Sequence, residues 1–143
     1  MPSSAEHRAK YLANRHLLDT GNNGAPLSTS DECWAAIVAF YAALHLADRL
    51  GAIAAPQLHP MPPGAHGKRL RFLYSNHRAI YWAYNDLKSA SEIARYGTLN
   101  QFNRMFPVNT TPTILIDQNL VAIEVYVNTF FPPPAPPAAG AGS

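Results

Sequence analysis

One stretch of the sequence concentrates positive charge without acidic residues to balance it. From position 49 to position 85 there is no Asp or Glu, and the stretch contains five cations: Arg49, Lys68, Arg69, Arg71 and Arg78. Because the whole chain has a formal charge of +2, the rest of the chain carries −3. This polarity predicts an anion site in which Lys68, Arg69, Arg71 and Arg78 bind phosphate. The alternative is a solvated helix face whose arginine stems cover apolar neighbours.

Three histidines, His59, His66 and His77, fall in the same stretch, and two of them are spaced to act with these cations. His66 and Arg69 are three residues apart, so they share one face at the start of a predicted helix, where the helix dipole also favours an anion. Arg71 and His77 would diverge by roughly 120° in a straight helix, and they converge only if the chain bends at Ser75-Asn76. Without that bend, His77 is predicted to be a packed core histidine.

His45 is a third candidate, within the most apolar helix. Asp48 follows it by three residues and could orient its imidazole as a general base, although the same spacing is also ordinary helix electrostatics. The histidines show no His-x-x-x-His or Glu-x-x-His spacing, so the sequence predicts no metal and no cofactor. A single cysteine, Cys33, cannot form an internal disulfide, which indicates a reducing compartment and favours the cytoplasm.

Periodicity and capping signals predict an all-α protein, an antiparallel bundle of four or five helices over residues 1–131. The expected helices cover 4–19, 30 or 31 to 54, 65–75 with 77–96 as either one kinked helix or two, and 111–130. A strand over 120–127 is the rival for the last segment, since it is rich in β-branched residues. The longest apolar run, 34–44, is too short to span a membrane. Residues 132–143 contain only Pro, Ala, Gly and Ser, and we expect a flexible tail.

The apolar positions also predict which faces are buried. We expect the first helix to bury a stripe that includes Leu12 and Leu17, and the second to bury a stripe that begins at Trp34. The second helix is apolar on more than one side, so it should lie at the centre of the bundle. The inner face of the last helix is predicted to be Ile116, Leu120, Ile123 and Val127.

Several blocks of sequence together resemble bacterial members of the HEPN superfamily, the higher eukaryotes and prokaryotes nucleotide-binding domain. The blocks are Trp34, FYAALHLAD at 40–48, His59-Pro60, His66-x-x-Arg69, Tyr84-x-x-Leu87 and SxxARY at 91–96. The similarity spans about 11–96. It implies a helical bundle that dimerises and acts on RNA, in many relatives as a metal-independent endoribonuclease of a toxin-antitoxin or defence system.

The HEPN resemblance also implies catalytic residues. Its signature is an arginine followed four to six positions later by a histidine, and Arg71 with His77 fits this spacing, although Phe72 replaces the usual polar neighbour. The implied reaction is transesterification of RNA, with His77 or His66 as base and Arg71 or Arg69 on the phosphate. His45 remains a further catalytic candidate on its spacing to Asp48, not on the resemblance. The alternative is a catalytically inactive module that binds RNA, a nucleotide or a protein partner as a homodimer or as a subunit of a larger assembly.

Overall fold

The computed structural model describes residues 3–54, 65–97 and 114–131, and every regular element in these ranges is a helix. Five α-helices follow one another: α1 Ser4–Thr20, α2 Glu32–Ala54, α3 His66–Asn76, α4 Arg78–Tyr96 and α5 Val121–Asn128. A short 3₁₀ turn, Leu27–Thr29, precedes α2, and a π-helical segment, Leu115–Leu120, leads directly into α5. The predicted all-α bundle is therefore confirmed.

Helix α2 lies at the centre of the bundle and contacts each of the other four helices. Its start is fixed by Asp31, whose carboxylate accepts a hydrogen bond from the backbone N–H of Trp34 at 2.9 Å. The predicted central position is confirmed, but Trp34 itself is exposed, so its assignment to the buried face is wrong. By length and composition α2 could cross a membrane, yet most of it is buried against the other helices, as in the core helix of a globular protein.

Helix α1 packs through a different face from the predicted one. Ser3 caps it by accepting a hydrogen bond from the backbone N–H of Glu6. Leu12 and Leu17 are exposed, however, whereas His7 and Leu18 are buried. Hydrophobicity predicted the wrong stripe because α1 packs largely through polar side chains.

The chain breaks between α3 and α4 at His77, so this region forms two helices. The backbone of His77 leaves the helical conformation, with φ −141° and ψ 50°, while its N–H still donates to the carbonyl of Leu73 at 2.7 Å. Arg78 reinforces the junction by donating from Nε to the carbonyl oxygen of Tyr74, near the end of α3. The break falls one residue after the predicted bend at Ser75-Asn76.

The last described segment is helical, which excludes the rival strand over 120–127. Its predicted inner face is confirmed, because Ile116, Leu120, Ile123 and Val127 are all buried. Gly97 ends α4, and its N–H donates a hydrogen bond to the carbonyl oxygen of Ile93. The predicted start of the last helix at 111, the His59-Pro60 block and the predicted tail over 132–143 lie outside the described residues.

Candidate functional site

Among the described residues, the most deeply buried cation is Arg69, on α3. Its side chain is 1% exposed, and its guanidinium donates two hydrogen bonds to the carboxylate of Asp48 on α2, Nε to Oδ1 at 2.7 Å and Nη2 to Oδ2 at 3.0 Å. A bidentate salt bridge of this kind is among the stronger polar contacts in proteins. Arg69 is thus turned into the bundle, not toward the exposed face on which Lys68 and Arg71 lie.

His45 lies beside this ion pair and faces a histidine from another helix. The Nδ1 atoms of His45 and His7 are 3.3 Å apart, and the two rings have centroids 5.6 Å apart. Burial, and then the proximity of His7, lowers the pKa of His45 to about 4. His45 is therefore neutral at physiological pH, with a ring nitrogen able to act as an acceptor or a ligand.

His66 and Tyr84 complete the buried polar region. His66 packs on Phe40, with ring centroids 5.7 Å apart, and its pKa is lowered by burial and then by nearby Arg69. The Tyr84 side chain is fully buried, and among the described residues its hydroxyl has no hydrogen-bond partner. The fold therefore gathers His45, His66, Asp48 and Arg69, which the sequence placed in two separate candidate groups.

His77 is enclosed by aromatic rings at the junction of α3 and α4. Its ring contacts those of Phe72, Tyr126 and Phe130 edge-on, with centroids 5.2–5.6 Å apart, and its Nδ1 lies 2.8 Å from the Tyr126 hydroxyl. Burial lowers the pKa of His77. These contacts are those of a packed core histidine, the alternative that the sequence left open.

An exposed surface of aromatic rings and cations lies on the other side of this junction. The groove there is open, has a volume of about 310 Å³, and is lined by Leu70, Arg71, Tyr74, Ser75 and Tyr81. The guanidinium carbon of Arg78 lies 4.1 Å from the centroid of the Tyr74 ring. This places two of the predicted phosphate-binding cations around one tyrosine.

The same surface continues along α4. Tyr74 contacts Tyr81 edge-on with ring centroids 5.2 Å apart, and Tyr81 contacts Trp82 with centroids 4.9 Å apart. Trp82 is 64% exposed and Tyr74 is 46% exposed. We call the set Arg71, Tyr74, Arg78, Tyr81 and Trp82 the aromatic–cation surface.

Three further cations, Arg49, Arg95 and Lys68, lie outside the aromatic–cation surface. The guanidinium of Arg49 stacks on the ring of Phe131 at 3.5 Å, and Arg95 donates a hydrogen bond to the Tyr41 hydroxyl at 3.0 Å. Lys68 is exposed on α3 and lies three residues before Arg71 on the helix. The predicted phosphate-binding set therefore divides: Lys68, Arg71 and Arg78 face solvent, whereas Arg69 does not.

The structure also separates Arg71 from His77, the catalytic pair that the resemblance implies. Arg71 lines the open groove, whereas every ring contact of His77 described above is to a residue outside that groove. The bend in the chain is present, but it directs His77 toward α5.

Two informative residues were not singled out by sequence reasoning. His7 was overlooked because it lies outside the apolar stripe, although the 4-3-4 spacing of His7, Tyr11, Asn14 and Leu18 marks a continuous helix face. Trp82 lies about 200° around the helix from buried Ile80, a spacing that signals an exposed tryptophan. An exposed tryptophan in contact with Tyr81, which lines the groove together with Arg71, is a binding signal that composition alone does not reveal.

The sequence of this chain matches no family profile and no curated protein, and no solved structure matches its fold. The class that the structure itself defines is an all-α helical bundle with a buried polar region and an exposed aromatic–cation surface.

Proposed function

We propose that this protein binds single-stranded RNA through the aromatic–cation surface. The observation that carries the proposal is the stacking of Arg78 on Tyr74 at the edge of the groove that Arg71 lines. Proteins that bind single strands pair aromatic platforms for the bases with cations for the backbone, and this surface supplies both. The HEPN resemblance makes RNA the first nucleic acid to test.

Binding is better supported than cleavage. A general base must reach the 2′-hydroxyl proton directly or through one water, and His77 is packed among three rings with Nδ1 beside Tyr126. Arg69 is held by Asp48. Of the residues implied as catalytic, Arg71 is the one that remains at the exposed groove, where it would contact phosphate.

We also propose a cellular location and an oligomeric state for this protein. A lone cysteine and the burial of α2 within the bundle fit a cytoplasmic protein, and the resemblance implies a homodimer or a subunit of a larger assembly in a defence system. The molar mass of the purified protein in solution, measured by light scattering, tests the predicted dimer directly.

Fluorescence anisotropy with a labelled single-stranded RNA of about ten nucleotides tests the binding surface. Replacing Arg71 and Arg78 with Gln should weaken binding and reduce the slope of log K against log salt by about 1.4, since each phosphate contact on a single strand contributes about 0.7. Trp82→Ala should weaken binding by roughly 5- to 150-fold, the range expected for loss of one stacked base.

The matched control replaces Arg8 and Lys10, two exposed cations on α1, with Gln and should leave the affinity nearly unchanged. An equal loss in this control would mean that only non-specific charge attraction is present. RNA cleavage in the presence of EDTA that disappears in His77→Ala would instead establish the endoribonuclease alternative. A DNA strand of the same sequence shows whether the surface distinguishes the two nucleic acids.

A further inference from the structure

We propose that His7, His45 and Asp48 form a binding site for one divalent transition-metal ion of the Zn²⁺ class, which joins α1 to α2. One ligand atom from each of the three residues lies within 4.8 Å of the others. His7 is contributed by α1, and His45 and Asp48 occupy adjacent turns of α2. We call these three residues the His–His–Asp cluster.

The distance between the two imidazoles fits a shared ion. Two nitrogens bound tetrahedrally to Zn²⁺ at 2.0–2.1 Å lie about 3.3–3.4 Å from each other, and the Nδ1 atoms of His7 and His45 are 3.3 Å apart. In one choice of tautomers the same separation also allows one imidazole N–H to donate a hydrogen bond to the other ring nitrogen. A metal ion would take the place of that shared proton between the two rings.

The types of ligand define which ions the cluster can hold. Imidazole suits Zn²⁺, Cu²⁺, Ni²⁺ and Fe²⁺, and a carboxylate can complete such sets. Mg²⁺ and Ca²⁺ prefer sites made entirely of oxygen atoms, so a cluster with two imidazoles disfavours them. Three protein ligands also leave a fourth position on a tetrahedral ion, which a water molecule can occupy.

Arg69 orients the third ligand. Both oxygens of Asp48 accept hydrogen bonds from its guanidinium, which fixes the carboxylate in the way that outer-shell partners fix metal ligands. Each carboxylate oxygen retains a second lone pair for an ion. The positive charge of Arg69 also opposes a bound cation, so we expect weaker binding than at the same three ligands without a neighbouring arginine.

The cluster would act as a structural tie. His7 is 4% exposed and Asp48 is 2% exposed, so an ion here would lie between two packed helices. Helix α1 packs on α2 partly through polar side chains, including His7, and an ion bound here would add a further bond between the two helices. Saturation with a roughly hundredfold excess over Kd should raise Tm by roughly 5–10 °C.

The experiment titrates EDTA-treated, tag-free protein with Zn²⁺ by calorimetry and with Co²⁺ by visible absorption. We expect one ion per chain and the d–d absorption bands of four-coordinate Co²⁺. His7→Asn and His45→Asn should each weaken Zn²⁺ binding by at least about tenfold, because removal of a direct ligand costs no less than loss of an outer-shell partner. The control His16→Asn changes an exposed histidine on α1 and should bind Zn²⁺ as the wild type does.

The proposal is overturned if wild-type protein shows no saturable one-to-one binding, or if His7→Asn and His45→Asn retain full affinity. Loss of binding in His16→Asn alone would assign the ion to the exposed surface and would also overturn it. The Co²⁺ spectrum of the wild type requires no variant, so the absence of four-coordinate bands overturns the proposal even if a histidine variant fails to fold. RNA binding measured in EDTA reports on the aromatic–cation surface alone, which separates this proposal from the proposed function.

Discussion

Arg69 and Asp48, 21 residues apart in the chain, form a bidentate salt bridge inside the bundle. Both side chains are almost completely buried, and the pair connects α3 to the central helix α2. A cation that the charge pattern assigned to an anion site is thus used to join two helices. The exposed cations of the same stretch, Lys68, Arg71 and Arg78, remain available to a ligand.

Breaking this ion pair on one side should be costly. We expect Arg69→Met or Asp48→Leu to lower the free energy of unfolding by about 3–5 kcal/mol, because each leaves an uncompensated buried charge. Urea denaturation followed by circular dichroism measures the loss.

The double variant Asp48→Leu with Arg69→Met supplies the control. Since it removes both charges, it should be clearly more stable than the sum of the two single losses predicts. Additive losses would show that the two groups do not depend on each other.

The Tyr84 hydroxyl offers an opposite test. It is buried, and within the described ranges it lacks a hydrogen-bond partner, while burial raises the pKa of this phenol. Tyr84→Phe removes an unsatisfied polar atom and should stabilise the fold by up to about 2 kcal/mol or leave it unchanged. Thermal unfolding measures the change, and a clear loss of stability would mean that the hydroxyl has a partner in the protein.

The buried imidazole of His77 should make the fold sensitive to acid. Burial lowers the pKa of His77. Below a pH of about 6.5 the unfolded chain therefore binds a proton that the folded chain does not readily accept, and the free energy of unfolding decreases as the pH decreases. We expect His77→Phe to have a shallower loss of Tm than the wild type between pH 7 and 5.

Tyr126→Phe keeps the imidazole and removes only the hydroxyl beside its Nδ1, so it serves as the matched variant. It should retain most of the acid sensitivity. If His77→Phe and the wild type lose stability in parallel, burial of this histidine is not the cause.

Helix α1 is also joined to α5 by a hydrogen bond, which the Tyr11 hydroxyl donates to the carboxylate of Glu124. Tyr11→Phe should cost about 1.5–3 kcal/mol, the range for a hydrogen bond to a charged group. The control Tyr96→Phe changes an exposed phenol and should leave Tm unchanged. Equal Tm values for the wild type and Tyr11→Phe would exclude a role for this contact.

Much of the fold was predictable because apolar periodicity and caps act locally. Ser3, Asp31 and Gly97 mark helix ends through hydrogen bonds with nearby backbone groups, and the inner face of the last helix follows from the spacing of its apolar residues. The face of α1 was not predictable in this way, because its contacts are made by His7 and Tyr11 with side chains on α2 and α5. Hydropathy scores such residues as solvent-facing.

Sequence alone determined an all-α chain, a central helix and a stretch of unbalanced positive charge, since these depend on residue type and short-range spacing. The tertiary structure decided which cations face solvent and which side chains each histidine contacts. Arg69 and Arg71 are two positions apart on one helix, and the roughly 200° between them places one against Asp48 and the other at an open groove. Contacts between residues far apart in the chain depend on how whole helices pack, and no local pattern records that packing.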